Sequence, residues 1–298
     1  MIQLMPEAVL EILDPGLAAA VQDTGRWGWR RFGVPPSGSM DGHAATWANR
    51  LLDNPTGAPV LELLLQGARL AVRHAVWMAI TGADADANVA TWRALRLSAG
   101  ETIQFPRNRS GVWIYLAVEN GFDVERWFGS ASVYARGGLG KPLARGDTLR
   151  RAAGPAFQLP PGIGGRLVDP SEHRHYDSPP LLRVWPGPQW SCFSESDRAA
   201  FFTHEWALTS QCDRVGYRLA GARLRPAPGQ IISEPVRVGA VQVPEGGSLI
   251  VIMRDGPTVG GYPKIGVIDP ADLSWLAQCR AGQKVRFRPV GRPDGDQR

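Results

Sequence analysis

Cysteine is scarce and poorly placed for its structural uses. Cys192, Cys212 and Cys279 are odd in number, widely spaced and form no CxxC pair. Neither a disulfide framework nor a zinc site is expected, and a reducing compartment fits. Long apolar runs are missing too. No stretch approaches the ~20 residues of a membrane span, and residues 1–22 lack the basic start of a secretory leader, so the reading is a cytoplasmic protein with no membrane partner. Clustered charge is also absent. The 33 Lys and Arg exceed the 28 Asp and Glu by a net charge of +5, yet the arginines are scattered and adjacent only at Arg30-Arg31 and Arg150-Arg151. A nucleic-acid surface concentrates basic residues on one face or in one run. No nucleic-acid partner is expected, and a mild preference for anionic ligands remains.

Lysine is the scarcest cation, with only Lys141, Lys264 and Lys284 among the 33 basic residues. Lys supplies a compact, titratable amine where Arg supplies a permanent planar cation. Lys264 closes the stretch Gly260-Gly261-Tyr262-Pro263-Lys264. Its two glycines allow positive φ or close backbone approach, and the proline holds φ in front of the lysine. A rigid turn of this kind can aim one cation into a pocket; a surface turn with a solvated lysine is the plainer reading of the motif alone.

What is abundant is turn chemistry. Gly 35 and Pro 25 make about a fifth of a chain whose 44% hydrophobic content is that of a globular protein. At 298 residues it is long enough for two domains. Short runs rich in β-branched or aromatic residues predict strands at 60–65, 69–72, 76–81 and 112–118, then at 181–185, 217–219, 236–243, 248–253 and 284–290. Three helices are predicted. One runs from Asp41 to Leu52 with Asp41 as cap, a weaker one spans Glu195 to Phe202, and the third begins at the cap Asp269 with Pro270 behind it and stops at Gly282. The Pro-rich, charged stretch 165–180 divides a β-rich domain 1–168 from a second at 180–298. Inside that stretch His173 and His175 are spaced as metal ligands, but no Cys or acid cluster lies near them, and no metal site is expected.

Other motifs narrow the chemistry. The polar loops before the first helix place backbone N–H groups where an anion can bind; structural turns explain their glycines equally well. Asn49 lies a little over two turns beyond Asp41, close enough to share a helix face. Gly137-Gly138-Leu139-Gly140-Lys141-Pro142 fails as a P-loop because Ala135 and Pro142 stand where Gly and Ser or Thr are required. There is no GxSxG and no nucleophile triad. Asp213-Arg214 precedes a strand and reads either as a structural pair or as part of a carbonyl-polarising site. Glu234 and Gln242 add a carboxylate and an amide near the same strands.

Taken in order, VQDTGRWG, GVPPSGSMDGHAATWANRLLDN, VLELLLQG, ITGA, YLAVENGF, FGSAS, GDTL, CDRVGYRLAG, SEPVRVGAVQVP and GGYPKIGVI, followed by DLSWLAQCRAGQKVRF, resemble one family along nearly the whole chain. It is the KipA-like group of biotin-dependent carboxyltransferase domain proteins, also called allophanate hydrolase subunit 2. The resemblance implies a mainly β fold of two β-barrel-like, cyclophilin-like domains. It implies a partner, the KipI-like B subunit. In the 5-oxoprolinase members it adds a LamB/YcsF-like A subunit, with which 5-oxoproline is opened to glutamate using ATP. Carried onto this chain, the resemblance makes Lys264, Asp213 and Arg214 the catalytic candidates. Lys264 and Arg214 would stabilise charge on an amide-like oxygen, and Asp213 would orient Lys264 or act as base. Asn49, Asp41, Tyr262 and Gln242 become the candidates for binding a small amide substrate. Other members imply carboxyl transfer to urea or a related amide, or a non-catalytic antagonist of a KipI-like kinase inhibitor. No Lys is flanked by Met as in a biotin-attachment site, so any biotin rides on another chain. Departures from the family pattern are Glu119-Asn120 where small residues are usual, Ser130-Ala131-Ser132-Val133 where the family usually ends in Ser-Thr, and Arg254–Val259 where an acidic run is usual.

Overall fold

The computed structural model describes residues 3–227 and 229–290. The chain is mainly β, with three short α-helices among the described residues, and falls into two units, Met1–Trp29 with Pro36–Tyr176 and Arg30–Pro35 with Asp177–Arg298. No helix among the described residues is long and apolar enough to cross a membrane.

Besides a two-stranded sheet that pairs Gln3–Leu4 with Gly154–Pro155, the first unit holds two larger antiparallel sheets. One orders its strands Thr148–Arg151, Glu7–Pro15, Ala68–Val72, Thr102–Gln104; the other Ala19–Gln22, Val60–Leu64, Ser110–Val118, Val76–Asp84, Ala94–Leu97. Their inward side chains, among them Leu10, Ile12, Leu70, Leu63, Ile80 and Leu116, form one buried cluster. Ala68–Val72 alternates buried and open positions, as a strand with one face toward the core must. Ser110–Val118 is buried almost throughout, because helix α1 (Gly42–Arg50) lies on it. That helix starts where the Asp41 side chain accepts from the N–H groups of His43 and Ala44. Its buried Ala44, Ala45 and Ala48 let it sit close to the sheet.

The second unit is an eight-stranded sheet in the order Lys284–Val285, Trp206–Cys212, Gly216–Ala220, Leu249–Ile252, Ala240–Gln242, Lys264–Ile268, Leu182–Pro186, Phe287–Pro289. Its first and last strands are separated in sequence by Arg286 alone, so the sheet must curl round until its two edges nearly meet. Helix α2 (Glu195–Thr203) packs on the last strand, stacking Phe201 on Phe287 at 4.8 Å. Helix α3 (Pro270–Ala277) is capped by Asp269 and fixed by Asp272, which accepts the Arg183 Nε–H at 2.9 Å.

The units differ from the ranges 1–168 and 180–298 in two respects. Residues 30–35 belong with the second unit, and residues 169–176 are packed instead of forming a free linker. Tyr176 is buried and donates to Asp41 Oδ2 at 3.0 Å, while the His173 ring lies on Trp92 at 4.6 Å. The strand expected at 236–243 is broken. Glu234–Pro235 pairs with Val259–Gly260 as a separate ribbon, and Gly239, at φ 86, turns the chain into Ala240–Gln242. The last helix ends at Ala277, not Gly282.

Candidate functional site

In the barrel of the second unit, Gln242 lies opposite both Lys264 and Ile250, and Ile250 lies opposite Arg218. Residues directly opposite in antiparallel strands share a face. This row therefore lies on one side of the sheet, and Val241, Val251 and Tyr217, all buried, lie on the other. The register slips between Val241 and Gln242, so that Ile265 is an extra residue. Bulges of this kind re-aim side chains and are common beside sites; here the bulge turns Lys264 to the same face as Gln242.

The ribbon of Glu234–Pro235 and Val259–Gly260 reaches this row. The Lys264 side-chain nitrogen lies 2.6 Å from Glu234 Oε1, an ion-pair distance without the alignment of a hydrogen bond. Gln189 bridges the pair: its Nε2 donates to Glu234 Oε1 at 2.8 Å, and its Oε1 accepts the Lys264 backbone N–H at 3.2 Å. The Glu234 carboxyl is held below its ordinary pKa, first by Lys264 and then by Gln189. Lys264 is 2% exposed and Gln242 4%, which excludes a solvated surface lysine. The Gln242 amide nitrogen has no hydrogen-bond partner among the described residues. The glycines of the motif serve close approach, not positive φ: a Cβ on Gly260 would lie 2.7 Å from Gln242 Nε2. Tyr262 stands 38% exposed, two residues before Lys264.

The Asp213-Arg214 turn lies beyond Gly216, which pairs with Ile252, two residues along the strands from the row of Arg218, Ile250, Gln242 and Lys264. The Asp213 carboxylate accepts the N–H of Val215 and Gly216 at 2.8 and 3.1 Å, and Arg214 forks onto Asp255 at 2.8 and 3.1 Å. The carboxylate found beside the Lys264 ammonium is that of Glu234. In the sequence Glu234 stands out only as a nearby carboxylate, and Gln189 not at all; its one signal is the Pro186-Gly187-Pro188 turn before it.

Asp41 and Asn49 belong to the first unit, where each holds local structure. Asp41 caps α1, receives the Tyr176 hydroxyl and donates its own N–H to Tyr115 Oη at 2.7 Å; Tyr115 in turn donates to Glu62 Oε2 at 2.8 Å. Burial, then the charges of Glu62 and Asp41, push the Tyr115 phenol well above its usual pKa. Asn49 donates to the Ala58 carbonyl at 2.9 Å and accepts from Asn54 at 3.0 Å, pinning the loop after the helix. Among the described residues no group of three or more His, Cys, Asp or Glu is arranged to hold a metal.

Two histidines of this unit carry a pH dependence. His43 is lowered in pKa by burial and then by Arg174, against Asp41 and the Glu172 carbonyl, whose oxygen lies 3.0 Å from its Nε2. His173 is lowered by burial, against Val168 and Asp169, with His175 adding to the depression. Both rings stay neutral in the folded chain at a pH where the unfolded chain protonates them. Their contribution is complete above the unfolded value near 6.5 and is lost as pH falls through the depressed folded values. Thermal unfolding by circular dichroism is expected to move to lower temperature from pH 7 to pH 5, and the double variant His43→Gln, His173→Gln to show a flatter profile. An equal slope in both would remove the histidines as the cause.

The carboxyltransferase domain family, subdomains A and B, matches residues 32–289. The C subunit of a 5-oxoprolinase from Haemophilus influenzae is 34% identical over 293 residues, 95% of this chain and 91% of that protein. A urea amidolyase from Lachancea kluyveri is 29% identical over 94% of this chain but only 17% of its own length. The crystal structure of TTHA0988 superposes with a TM-score of 0.82 at 33% identity, covering 94% of this chain. This chain spans about half of that solved chain, 55% of its length.

Proposed function

Because this chain belongs to the carboxyltransferase domain family, we propose that it is the C subunit of an ATP-dependent 5-oxoprolinase and that Lys264 and Gln242 polarise the lactam carbonyl of 5-oxoproline. The observation that carries the reading is a buried ammonium beside a buried, unpartnered amide N–H. Buried donors are normally satisfied; the Gln242 N–H, unpaired among the described residues, and the ammonium protons that Glu234 does not take up await an oxygen from a ligand. Opening the lactam by water puts negative charge on that oxygen, which Lys264 and Gln242 stabilise. Glu234 and Gln189 hold the lysine in place. Tyr262 contributes at the rim.

The partners in the cytoplasm are a KipI-like protein and a LamB/YcsF-like protein, the B and A components of the complex. ATP belongs to one of these. In the present chain Gly137–Lys141 is part of a tight turn bridging Tyr134 and Leu139, and Lys141 is exposed, 3.9 Å from Asp147. Similarity to urea amidolyase favours a second reading, carboxyl transfer to urea or a related amide from biotin carried on another chain, since that chemistry also polarises an amide carbonyl. The test is co-expression with a KipI-like protein, addition of a LamB/YcsF-like protein, and measurement of ATP-dependent glutamate release from 5-oxoproline. Release supports the first reading. A stable complex that instead consumes urea with carboxybiotin supports the second, and a complex inert in both assays supports a regulatory antagonist.

A further inference from the structure

Glu119 and Asn120 sit at the end of the strand Ser110–Val118, where the family pattern has small residues, and both reach to the segment 154–157. Asn120 donates to the Pro155 carbonyl at 3.1 Å. Glu119 accepts the Phe157 N–H at 2.9 Å and pairs with Arg151 at 3.2 Å. Together they fix one wall of a cavity of about 540 Å³ in the first unit, within the size range of small-molecule sites. Trp77 and Phe157, edge to face at 5.2 Å, line it. Arg151 lines it as well; its side chain is 5% exposed, and its Nε–H has no acceptor among the described residues, although its other nitrogens engage Glu119, Glu7 and the Met5 carbonyl. Across from Trp77 in register stands Arg96, exposed and without a hydrogen bond or ion pair among the described residues.

We propose that this cavity is a binding site for a small organic carboxylate with a flat apolar body. The carboxylate takes the unused donor of Arg151 and the fork of Arg96, and the body lies against Trp77 and Phe157. Glu119 and the part-exposed Glu7 already balance the charge of Arg151, so Arg151 offers a hydrogen-bond donor, and the counter-charge for a single carboxylate comes from Arg96 at the rim. The aromatic edge favours a flat ligand over a branched one. The site is independent of Lys264.

Isothermal titration of the full chain with benzoate, with benzamide as the uncharged control, tests this. Benzoate is expected to bind and benzamide not. Arg96→Gln, a rim change that leaves the fold intact, is expected to weaken benzoate about tenfold, the loss of one charge-assisted hydrogen bond. Arg151→Lys, checked for unchanged thermal unfolding, is expected to weaken it further, and Lys264→Met to leave it unchanged. Equal binding of both probes, no heat with benzoate, indifference to Arg96→Gln, or loss of binding in Lys264→Met would each overturn the proposal.

Discussion

Lys264→Met in the assembled complex is expected to lower turnover of 5-oxoproline on the order of 10²-fold, with the complex intact and thermal unfolding little changed. The size follows from removing one preorganised cation aimed at developing negative charge, worth about 3 kcal/mol. Stability is spared for two reasons. Methionine keeps most of the buried volume, and Glu234, 37% exposed on its side chain, retains water and the Gln189 amide at 2.8 Å as partners. The readout that separates chemistry from positioning is the split between kcat and KM. Loss confined to kcat marks a contact made in the transition state, whereas a rise in KM alone would mark simple substrate binding. Unimpaired turnover would remove Lys264 from the chemistry and favour a regulatory protein.

The second large effect is expected at a residue that touches no substrate. Gly187 donates its N–H to the Ile265 carbonyl at 3.0 Å, and a Cβ at this position would lie 2.1 Å from the Lys264 carbonyl oxygen and 2.8 Å from its carbon. Both obstacles are backbone, so neither can rotate away. Gly187→Ala must push the strand Lys264–Ile268 outward or withdraw the loop carrying Gln189, and either loosens the Gln189–Lys264 bond. Overpacking of this kind costs about 1–3 kcal/mol, and an ångström of misplacement at a reacting group costs on the order of 10²-fold in rate. Melting is therefore expected to fall by several degrees while kcat falls as far as in Lys264→Met. Full activity with only a lowered melting temperature would show that the backbone of Lys264 does not set its function.

The strands and the capped helices were legible because each is encoded locally. Period-two patterning marks Ala68–Val72, Asp41 and Asp269 are caps whose side chains bond the next turn, and Lys264 stands out as one of three lysines against thirty arginines. What was not legible depends on register. Asp213 and Lys264 stand in motifs of equal prominence, but the ladder sets Lys264 in the row of Gln242 and Ile250 and leaves Asp213 in the turn beyond the next row, that of Gly216 and Ile252. No spacing along the chain reveals that. Asn49 reads equally as a ligand contact or a loop pin until Ala58 and Asn54 are placed beside it. Likewise the run 284–290 reads as one strand, and only the fold shows that it splits at Arg286 to serve opposite edges of one sheet.

That split has a kinetic consequence. Lys284–Val285 pairs with Trp206–Ala207, and Phe287–Pro289 pairs with Leu182–Val184, so the final joins of the barrel link positions roughly eighty to a hundred residues apart. Such contacts are slow to form because loop closure must precede any reward. During synthesis the strands Trp206–Cys212 and Leu182–Pro186 wait with open edges until residues 284–289 leave the ribosome. In that interval they are exposed to pairing with another chain. The short segment at 284–289 therefore acts as a latch, and its arrival time sets how long nascent chains remain prone to aggregation.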